Sequence, residues 1–305
     1  MKHYSNSASW RRYKSIIKSN ADIELREPSR EYYLTVLGHH IHMDEWLPNG
    51  APTGTVLLVH GAGGNGRILA PIAQLVCDMG WRVLSPDLPG YGLTEIKHGF
   101  DWDYNEWPKI IAAIAENEPG KKALLGMSVG GLTAVYAAQL AANISGVFVT
   151  TLLDMNDKSS FIHAARWKWL GRLSLLGFKL MGPTIDKIRL PLRLAAPLGK
   201  MSEIDELADY FKTDDLIANR WVPVRFFRTM HEKKLTGDFS NLDLWLVHPG
   251  ADIWTPTAMS LKVLDQLDCR KTFAELSNGG HLPAEQPAFN ELKEKLSEFL
   301  ESIQE

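Results

Sequence analysis

The pentapeptide Gly126-Met127-Ser128-Val129-Gly130 carries the clearest chemical signal in this chain of 305 residues. It lies between a strand pattern at 121–125 and a helix pattern at 132–141. The pattern G-x-S-x-G is typical of a sharp strand-to-helix turn that exposes a serine hydroxyl. Glycines two positions on either side of Ser128 leave room for so tight a backbone. We therefore predict that Ser128 is a nucleophile, with a purely structural turn as the alternative.

Two later segments offer partners for this serine. Asp252 follows an apolar strand pattern at 242–247, and His281 follows a strand pattern at 272–276 and two glycines. A serine hydroxyl is a weak nucleophile at neutral pH unless a neighbouring base takes its proton. We predict that His281 is this base and that Asp252 orients the imidazole and stabilises its cation.

Each partner has an alternative interpretation. Asp252 could instead cap the helix predicted after Thr255-Pro256, because aspartate is a favoured N-cap residue. His281 could be an ordinary loop histidine. Asp154, at the end of the strand predicted for 146–153, is the substitute for Asp252 as the acid.

The order serine, acid, histidine resembles that of the α/β-hydrolase superfamily and differs from the orders in chymotrypsin and subtilisin. The segment His60-Gly61-Ala62-Gly63-Gly64 follows an apolar strand pattern at 55–59, where this family carries its first oxyanion loop. It is similar to the His-Gly-Ala-Gly of monoacylglycerol lipases. The turn Asp87-Leu88-Pro89-Gly90-Tyr91-Gly92 matches the family's Asp-x-x-Gly-x-Gly.

This resemblance implies an α/β fold: a mostly parallel, doubly wound sheet with an N-terminal antiparallel hairpin and an inserted helical cap. It implies that the backbone N–H groups of Ala62 and Val129 form the oxyanion hole. The expected division is an N-terminal extension at 1–30, a core at 31–154 and 242–305, and the cap at 155–241.

The pattern of apolar runs agrees with this fold. Strand patterns and helix patterns alternate from residue 55 onward, and four continuous apolar runs suit parallel strands that are buried on both faces. The alternating segments 32–37 and 40–46 predict the hairpin, with its turn at Gly38-His39.

A competing motif occupies the same loop. Residues 61–66 also satisfy G-x-G-x-x-G, and Asp87 ends the next strand pattern, as in dinucleotide-binding proteins. That interpretation leaves Ser128, Asp252 and His281 unexplained, so we predict no cofactor. We also predict no metal, because the nearby histidines at positions 39, 40 and 42 alternate between the faces of a strand.

Composition excludes several classes of function. The formal net charge is −3 and 45% of the residues are hydrophobic, so no nucleic-acid partner is expected. No apolar run reaches the length of a membrane span and no signal-peptide pattern is present, which makes the cytoplasm the expected location. Cys77 and Cys269 are expected to be reduced packing residues. The oligomeric state is not indicated.

The predicted cap is basic: residues 155–241 hold 15 Lys and Arg against 10 Asp and Glu. A plain interpretation is a helical lid with solvated cations. A second is that the basic cap or the N-terminus makes weak contact with a membrane surface or an anionic lipid. Five residues are predicted to bind substrate: Gly61, Met127, Phe161, Trp167 and Trp254. Of these, Phe161 and Trp167 are expected to wall an acyl pocket together with Trp169, Leu173, Leu176 and Phe178.

Together these features predict an enzyme that hydrolyses carboxylic esters with an apolar acyl part, first of all esters similar to monoacylglycerols. An acyl lactone such as an acyl-homoserine lactone is the nearest alternative substrate. Carbon–carbon bond hydrolases and cofactor-free haloperoxidases share the triad. The alternative from another class is a ligand-binding receptor on the same fold that lacks catalysis.

Overall fold

A sheet of eight strands lies at the centre of the protein. Its architecture comes from a computed structural model that describes residues 2–304. The ten strands are β1 Arg30–Val36, β2 His39–Trp46, β3 Thr55–Val59, β4 Arg82–Pro86, β5 Lys122–Gly126, β6 Ile144–Val149, β7 Arg189–Pro191, β8 Trp221–Pro223, β9 Asp243–His248 and β10 Arg270–Glu275. The order in the large sheet is β1-β2-β4-β3-β5-β6-β9-β10.

Within the large sheet, only β2 runs opposite to its neighbours. β1 pairs antiparallel with β2, and β2 pairs antiparallel with β4, while the remaining neighbours are parallel. Every residue of β3 and β5 is buried, because helices cover a parallel sheet on both faces. The predicted α/β fold class, with its N-terminal hairpin, is confirmed.

The hairpin turn lies one residue earlier than predicted. Leu37 and Gly38 are its two central residues, with φ of 48° and 84°, whereas the sequence pattern pointed to Gly38-His39. A two-residue turn between right-twisted strands needs positive φ at both positions. The leucine at the first of these positions hid the turn from sequence-based prediction.

Eleven α-helices accompany the strands in residues 2–304. They are α1 Ala8–Ala21, α2 Ala70–Asp78, α3 Glu106–Glu116, α4 Val129–Leu140, α5 Lys158–Ala164, α6 Lys168–Met181, α7 Leu192–Ala195, α8 Asp205–Thr213, α9 Val224–Glu232, α10 Thr257–Leu264 and α11 Ala288–Ser302. Short 3₁₀ segments occupy Gly66–Leu69, Gly182–Ile185 and Leu198–Lys200. Within this part of the chain, no helix combines the length and apolarity needed to cross a bilayer.

The segment between β6 and β9 contains α5 to α9 and a small antiparallel sheet of β7 and β8. Its helical content agrees with the expectation for 155–241, and the division into core and cap stays a prediction. The small sheet was not predicted. Its strands have three residues each and end in Pro191 and Pro223, so no periodic pattern is long enough to reveal them.

The N-terminal helix α1 buries its apolar face against the protein. Trp10, Tyr13 and Ile17 are at most 1% exposed. The Tyr13 hydroxyl donates to the Ile68 carbonyl at 2.8 Å, and Ser9 Oγ lies 2.9 Å from the Tyr210 hydroxyl. The segment expected as an N-terminal extension therefore contains a helix whose apolar side chains are occupied by contacts with the rest of the chain.

A buried ionic cluster lies beneath this helix. Arg67 donates two hydrogen bonds to Asp44, at 2.6 and 2.7 Å, and lies 3.3 Å from Glu31. His42 contacts Glu31 through Nε2 at 2.9 Å and Asp87 through Nδ1 at 3.2 Å. Burial alone would lower the pKa of His42, but Asp87 and the other carboxylates raise it to about 10. The His42 group is thus held as a cation between acids.

Replacing Arg67 with methionine is expected to destabilise the fold by about 3–5 kcal/mol, because it leaves the buried Asp44 carboxylate without its partner. Urea unfolding followed by circular dichroism measures the change. Arg26→Met is the matched control, since Arg26 pairs with Asp78 at the surface and such pairs contribute about 0–1 kcal/mol. Equal losses in the two variants would contradict the prediction.

Candidate active site

Ser128 lies in the turn between β5 and α4, as predicted from the pentapeptide. Its φ is 57° and its ψ is −131°, a conformation that costs a residue with a side chain about 1–3 kcal/mol. A Cβ atom on Gly130 would lie 2.1 Å from the Val59 carbonyl oxygen. The glycine is therefore required where α4 begins against the end of β3.

Asp252 and His281 meet although they follow different strands. The Asp252 carboxylate follows β9 and the His281 imidazole follows β10, and these strands are parallel neighbours. Their loops therefore leave the same edge of the sheet. His281 Nδ1 lies 2.7 Å from Asp252 Oδ2. Both side chains are buried.

Asp252 is held by a complete set of donors. Its Oδ1 accepts the backbone N–H groups of Trp254 and Thr255 at 2.8 and 2.9 Å, and its Oδ2 also accepts the Thr255 hydroxyl at 2.6 Å. Burial alone would raise the pKa of Asp252. The attraction of His281 and these hydrogen bonds outweigh burial and hold the pKa well below its ordinary value.

The Asp252 contact also determines which nitrogen of His281 can accept a proton. A carboxylate only accepts hydrogen bonds, so the 2.7 Å contact assigns the proton to Nδ1. Nε2 is left with its lone pair. It is buried and has no hydrogen-bond partner among residues 2–304, Ser128 included. Hydrogen bonds of this kind are often long in unliganded proteins and shorten when substrate binds.

The two predicted oxyanion donors lie on adjoining segments. Val129 is the first residue of α4, where the N–H groups point out of the helix and its dipole favours negative charge. Ala62 lies in the loop after β3, which Gly64 N–H closes by donating to the Gly61 carbonyl at 3.0 Å. Within the described part of the chain, no acceptor takes either the Ala62 or the Val129 N–H.

His60 holds this loop in place. Its Nδ1 lies 2.8 Å from the Gly61 carbonyl, and its Nε2 lies 2.8 Å from the Leu88 N–H. The Leu88 N–H can only donate, so Nε2 accepts and Nδ1 carries the proton. Burial lowers the pKa of His60, which keeps the ring neutral. His60 therefore ties the Ala62 loop to the turn after β4.

Asp87 anchors that turn by hydrogen bonds. Its Oδ1 accepts the Gly66 N–H at 2.7 Å, and its Oδ2 accepts the Leu93 N–H at 2.7 Å and the Tyr4 hydroxyl at 2.8 Å. Both oxygens are thus engaged by protein groups, although the competing dinucleotide pattern would assign this acid to a ribose.

Gly61 lies directly against Ser128. A Cβ atom there would lie 2.7 Å from Ser128 Cβ and 3.2 Å from its Oγ. Gly61→Ala is therefore expected to displace the serine hydroxyl and to lower kcat by about tenfold or more. The steady-state rate with a p-nitrophenyl ester tests this. Gly64→Ala is the control, because its nearest neighbours at 3.3 Å do not include the serine; an equal loss there would count against a specific contact.

Two cavities meet at Ser128. The larger contains about 860 Å³ of space, part of it open to solvent, and Ala62 and Val129 line it together with Ser128. The smaller contains about 470 Å³ and is lined by His281 and Gly61. Neither wall includes a lysine, arginine, aspartate or glutamate side chain. Apart from the two histidines, the polar side chains are mainly serine hydroxyls and the Trp254 indole.

Four of the five predicted substrate-binding residues line a cavity. Phe161 and Trp254 line the larger one, and Gly61 and Met127 line the smaller one. Trp167 does not line either cavity, so its prediction is wrong. Trp167 is the N-cap residue of α6. Its side chain is 40% exposed and stacks on Trp169, with ring centroids 5.8 Å apart.

The same correction applies to three other members of the predicted acyl wall. Trp169, Leu173 and Leu176 are more than half exposed and do not line the cavity. Phe178 does line it, together with Leu170 and Ser174 on the same helix. Helical spacing alone identified the apolar positions of α6 but not which of its two apolar faces turns inward.

Sequence reasoning missed Thr255 and left Asp154 open. The Thr255 hydroxyl bridges Asp252 Oδ2 at 2.6 Å and His281 Nδ1 at 3.1 Å. A hydroxyl residue three positions after an aspartate is a typical turn signal, which could have revealed it. Asp154 is partnered within its own loop, where its Oδ1 accepts the Asn156 N–H at 2.8 Å, and burial raises its pKa. The structure brings Asp252, not Asp154, to His281.

Comparison with known proteins agrees with this geometry. A profile described as the alpha/beta hydrolase family matches residues 56–289. A pimeloyl-[acyl-carrier protein] methyl ester esterase of Aliivibrio salmonicida is 33% identical over 123 residues, which is 40% of this chain and 43% of that protein. The match thus spans less than half the length of that relative.

Solved structures share the fold over nearly the whole chain. A monoacylglycerol lipase of Paleococcus ferrophilus superposes with a TM-score of 0.66 at 21% identity, covering 87% of this chain and 99% of that one. A monoglyceride lipase of Saccharomyces cerevisiae gives 0.70 at 16% identity, covering 92% and 96%. These likenesses concern the fold. Because the family profile matches well over half of the chain, this protein belongs to the alpha/beta hydrolase family.

Proposed function

We propose that this protein is a serine hydrolase that cleaves uncharged carboxylic esters with an apolar acyl part. One observation carries the proposal. His281 has its Nδ1 bound to Asp252 at 2.7 Å and its Nε2 unpartnered, beside a cavity that Ser128 also lines. Such a pairing leaves a basic nitrogen next to a hydroxyl that is otherwise a weak nucleophile.

In the first step, Ser128 Oγ attacks the ester carbonyl carbon while His281 Nε2 takes the hydroxyl proton. The carbonyl oxygen becomes an oxyanion, which the N–H groups of Val129 and Ala62 stabilise by hydrogen bonds. The tetrahedral intermediate then collapses. The bond to the leaving oxygen breaks, and His281 returns its proton to that oxygen, releasing an alcohol and an acyl-serine.

In the second step, water attacks the acyl carbon and His281 takes one of its protons. Collapse of this second intermediate breaks the bond to Ser128 Oγ, which regains its proton from His281. The acid product leaves and the free enzyme is restored. Asp252 stays ionised throughout and stabilises the imidazolium that forms twice per turnover.

The positions of the catalytic groups assign the two cavities. The leaving oxygen must lie near His281 Nε2, because it receives its proton from there, and His281 lines the smaller cavity. Val129, an oxyanion donor, lines the larger one. We therefore assign the acyl chain to the larger cavity and the alcohol part to the smaller.

The walls restrict the substrate class. A charged acyl chain in the larger cavity would lose its hydration without meeting a counter-charge, at a cost of several kcal/mol. The alcohol cavity is also apolar apart from its two histidines, which favours a short alcohol or an uncharged one. A methyl ester of an apolar acid and a monoacylglycerol both meet this description; the names of the similar proteins include a pimeloyl-[acyl-carrier protein] methyl ester and a monoacylglycerol.

The test is a matrix of substrates in which acyl and alcohol parts vary separately. It contains p-nitrophenyl esters from acetate to laurate, methyl esters of the same acids, a monoacylglycerol and an acyl-homoserine lactone. Turnover that depends on acyl length supports the proposal. If the protein prefers the lactone over every open ester, the substrate class is a lactone and the proposed ester class is wrong. Folded protein that neither turns over an ester nor reacts with a fluorophosphonate would favour a ligand-binding receptor.

Two substitutions test which part of the substrate each cavity binds. Phe178→Ala deepens the larger cavity and is expected to shift the preferred acyl chain to longer acids, with little effect on alcohol preference. Met201→Ala widens the smaller one and is expected to do the reverse. The measurement is kcat/KM across the matrix for both variants. If the two effects are exchanged, the assignment of the cavities is reversed and the proposed reaction still stands.

A further inference from the structure

Helix α6 exposes a continuous apolar stripe to solvent. Trp169, Leu173, Leu176 and Leu180 are between 51% and 71% exposed. Their spacing of four, three and four residues places them on one side of the helix, over roughly 16 Å of its length. Nine of the fifteen large hydrophobic side chains exposed in residues 2–304 fall within 167–221, so the stripe belongs to a patch and is not ordinary scatter.

Cations without a carboxylate partner are concentrated in the sequence around this stripe. The stretch 158–200 contains nine lysines and arginines and a single acid, Asp186. Asp186 is buried and already bound to Arg225 and Arg228. None of the nine cations has a carboxylate within 4.0 Å in the described part of the chain. The stretch 158–200 therefore carries several positive charges that no carboxylate of the described residues pairs with.

Aromatic side chains lie at the N-terminal end of the stripe. The Trp167 and Trp169 rings stack at 5.8 Å, and the Arg166 guanidinium lies 4.8 Å from the Trp167 ring centre. Tryptophan and arginine are both favoured where an apolar layer meets a polar one. The opposite side of the same helix lines the larger cavity through Leu170, Ser174 and Phe178.

We infer that the α6 stripe, together with the lysines and arginines of 158–200, docks on the surface of a bilayer that carries anionic lipids. The apolar side chains would enter the acyl boundary, and the lysines and arginines would meet the phosphate groups. A second copy of this chain is a poor occupant, because it would bring an equal number of like charges to the contact. Docking would place the cavity side of α6 one helix diameter from the lipid.

Cosedimentation with vesicles tests the docking without any substrate, so its outcome is independent of the proposed reaction. The probes are phosphatidylcholine vesicles and phosphatidylcholine vesicles with added phosphatidylglycerol. We expect binding to the anionic vesicles, weaker binding at high salt, and little binding to the neutral ones. Each cation that approaches the surface is expected to contribute roughly fivefold to the partition coefficient.

Two sets of variants distinguish lipid docking from simple charge attraction. The triple variant Leu173→Gln, Leu176→Gln, Leu180→Gln keeps helix propensity and is expected to lower binding about tenfold or more. Its control is Leu140→Gln, an exposed leucine at the end of α4. The variant Lys168→Gln, Arg172→Gln, Lys179→Gln should lower binding to anionic vesicles by about 100-fold, while Lys109→Gln with Lys293→Gln should change it much less.

Three results would overturn the inference. They are no binding to anionic vesicles, equal binding of the leucine variant and the parent protein, and equal loss in the Leu140 control. Binding that depends on the cations but not on the leucines would indicate a contact that an acidic protein surface could make as well. Circular dichroism of each variant excludes unfolding as the cause of a loss.

Discussion

Ser128→Ala is expected to lower ester turnover by about 10⁵-fold or more while leaving the fold intact. The alanine cannot form an acyl-enzyme, and the remaining groups act only by binding and by stabilising the oxyanion. Alanine removes only the hydroxyl group from the residue whose φ is 57°, so we expect the turn to be retained. The measurement is the initial rate on the best p-nitrophenyl ester, together with labelling by a fluorophosphonate.

The matched control is Ser174→Ala. Ser174 lines the same larger cavity from α6 but lies next to none of the groups assigned to catalysis. We expect its turnover to stay within about threefold of the parent protein. Residual labelling of Ser128→Ala, or an equal loss in Ser174→Ala, would show that the nucleophile is a different residue.

Asp252→Asn is expected to lower kcat by about 10⁴-fold. The carboxylate of Asp252 accepts a hydrogen bond from the protonated Nδ1 of His281. An asparagine amide can instead turn its NH₂ group toward that nitrogen and stabilise the other tautomer of the imidazole. Nε2 would then carry the proton and could no longer take one from Ser128. The loss should appear in kcat with a much smaller change in KM, since neither cavity is lined by Asp252.

Asp154→Asn is the comparison that settles which acid acts. In the native protein, Asp154 Oδ1 accepts a hydrogen bond from the Asn156 N–H. The amide oxygen of an asparagine at this position can accept the same hydrogen bond. We expect turnover within about threefold of the parent protein. The roles would have to be exchanged if Asp154→Asn were the inactive variant and Asp252→Asn retained activity.

Several local features could be predicted because each depends on a few neighbouring residues. The Ser128 turn needs glycines at fixed positions, and Gly130 stands where a Cβ atom would overlap the Val59 carbonyl. The buried runs of β3 and β5 identify parallel strands in the interior of the sheet. The hairpin was also predicted, but its turn was placed one residue too late, because a leucine with positive φ is uncommon.

Other features depend on which surfaces face each other. The side chains of α6 repeat an apolar pattern on two sides, and the sequence does not distinguish the side that lines the cavity from the side exposed to solvent. Trp169, Leu173 and Leu176 were therefore assigned to the wrong side. The strands β7 and β8 are separated by 29 residues, so their pairing depends on contacts that no local period records.

Glycine spacing and strand periodicity are local constraints, and they were enough to predict the α/β class, the Ser128 turn and the candidate partners His281 and Asp252. Three further relations became visible in the fold: Asp252 and not Asp154 meets His281, Thr255 contacts both of them, and two cavities meet at Ser128. These relations depend on the order β6-β9-β10 in the sheet and on the packing of a distant segment over it. Such contacts join residues far apart in the chain, and chain periodicity carries no information about them.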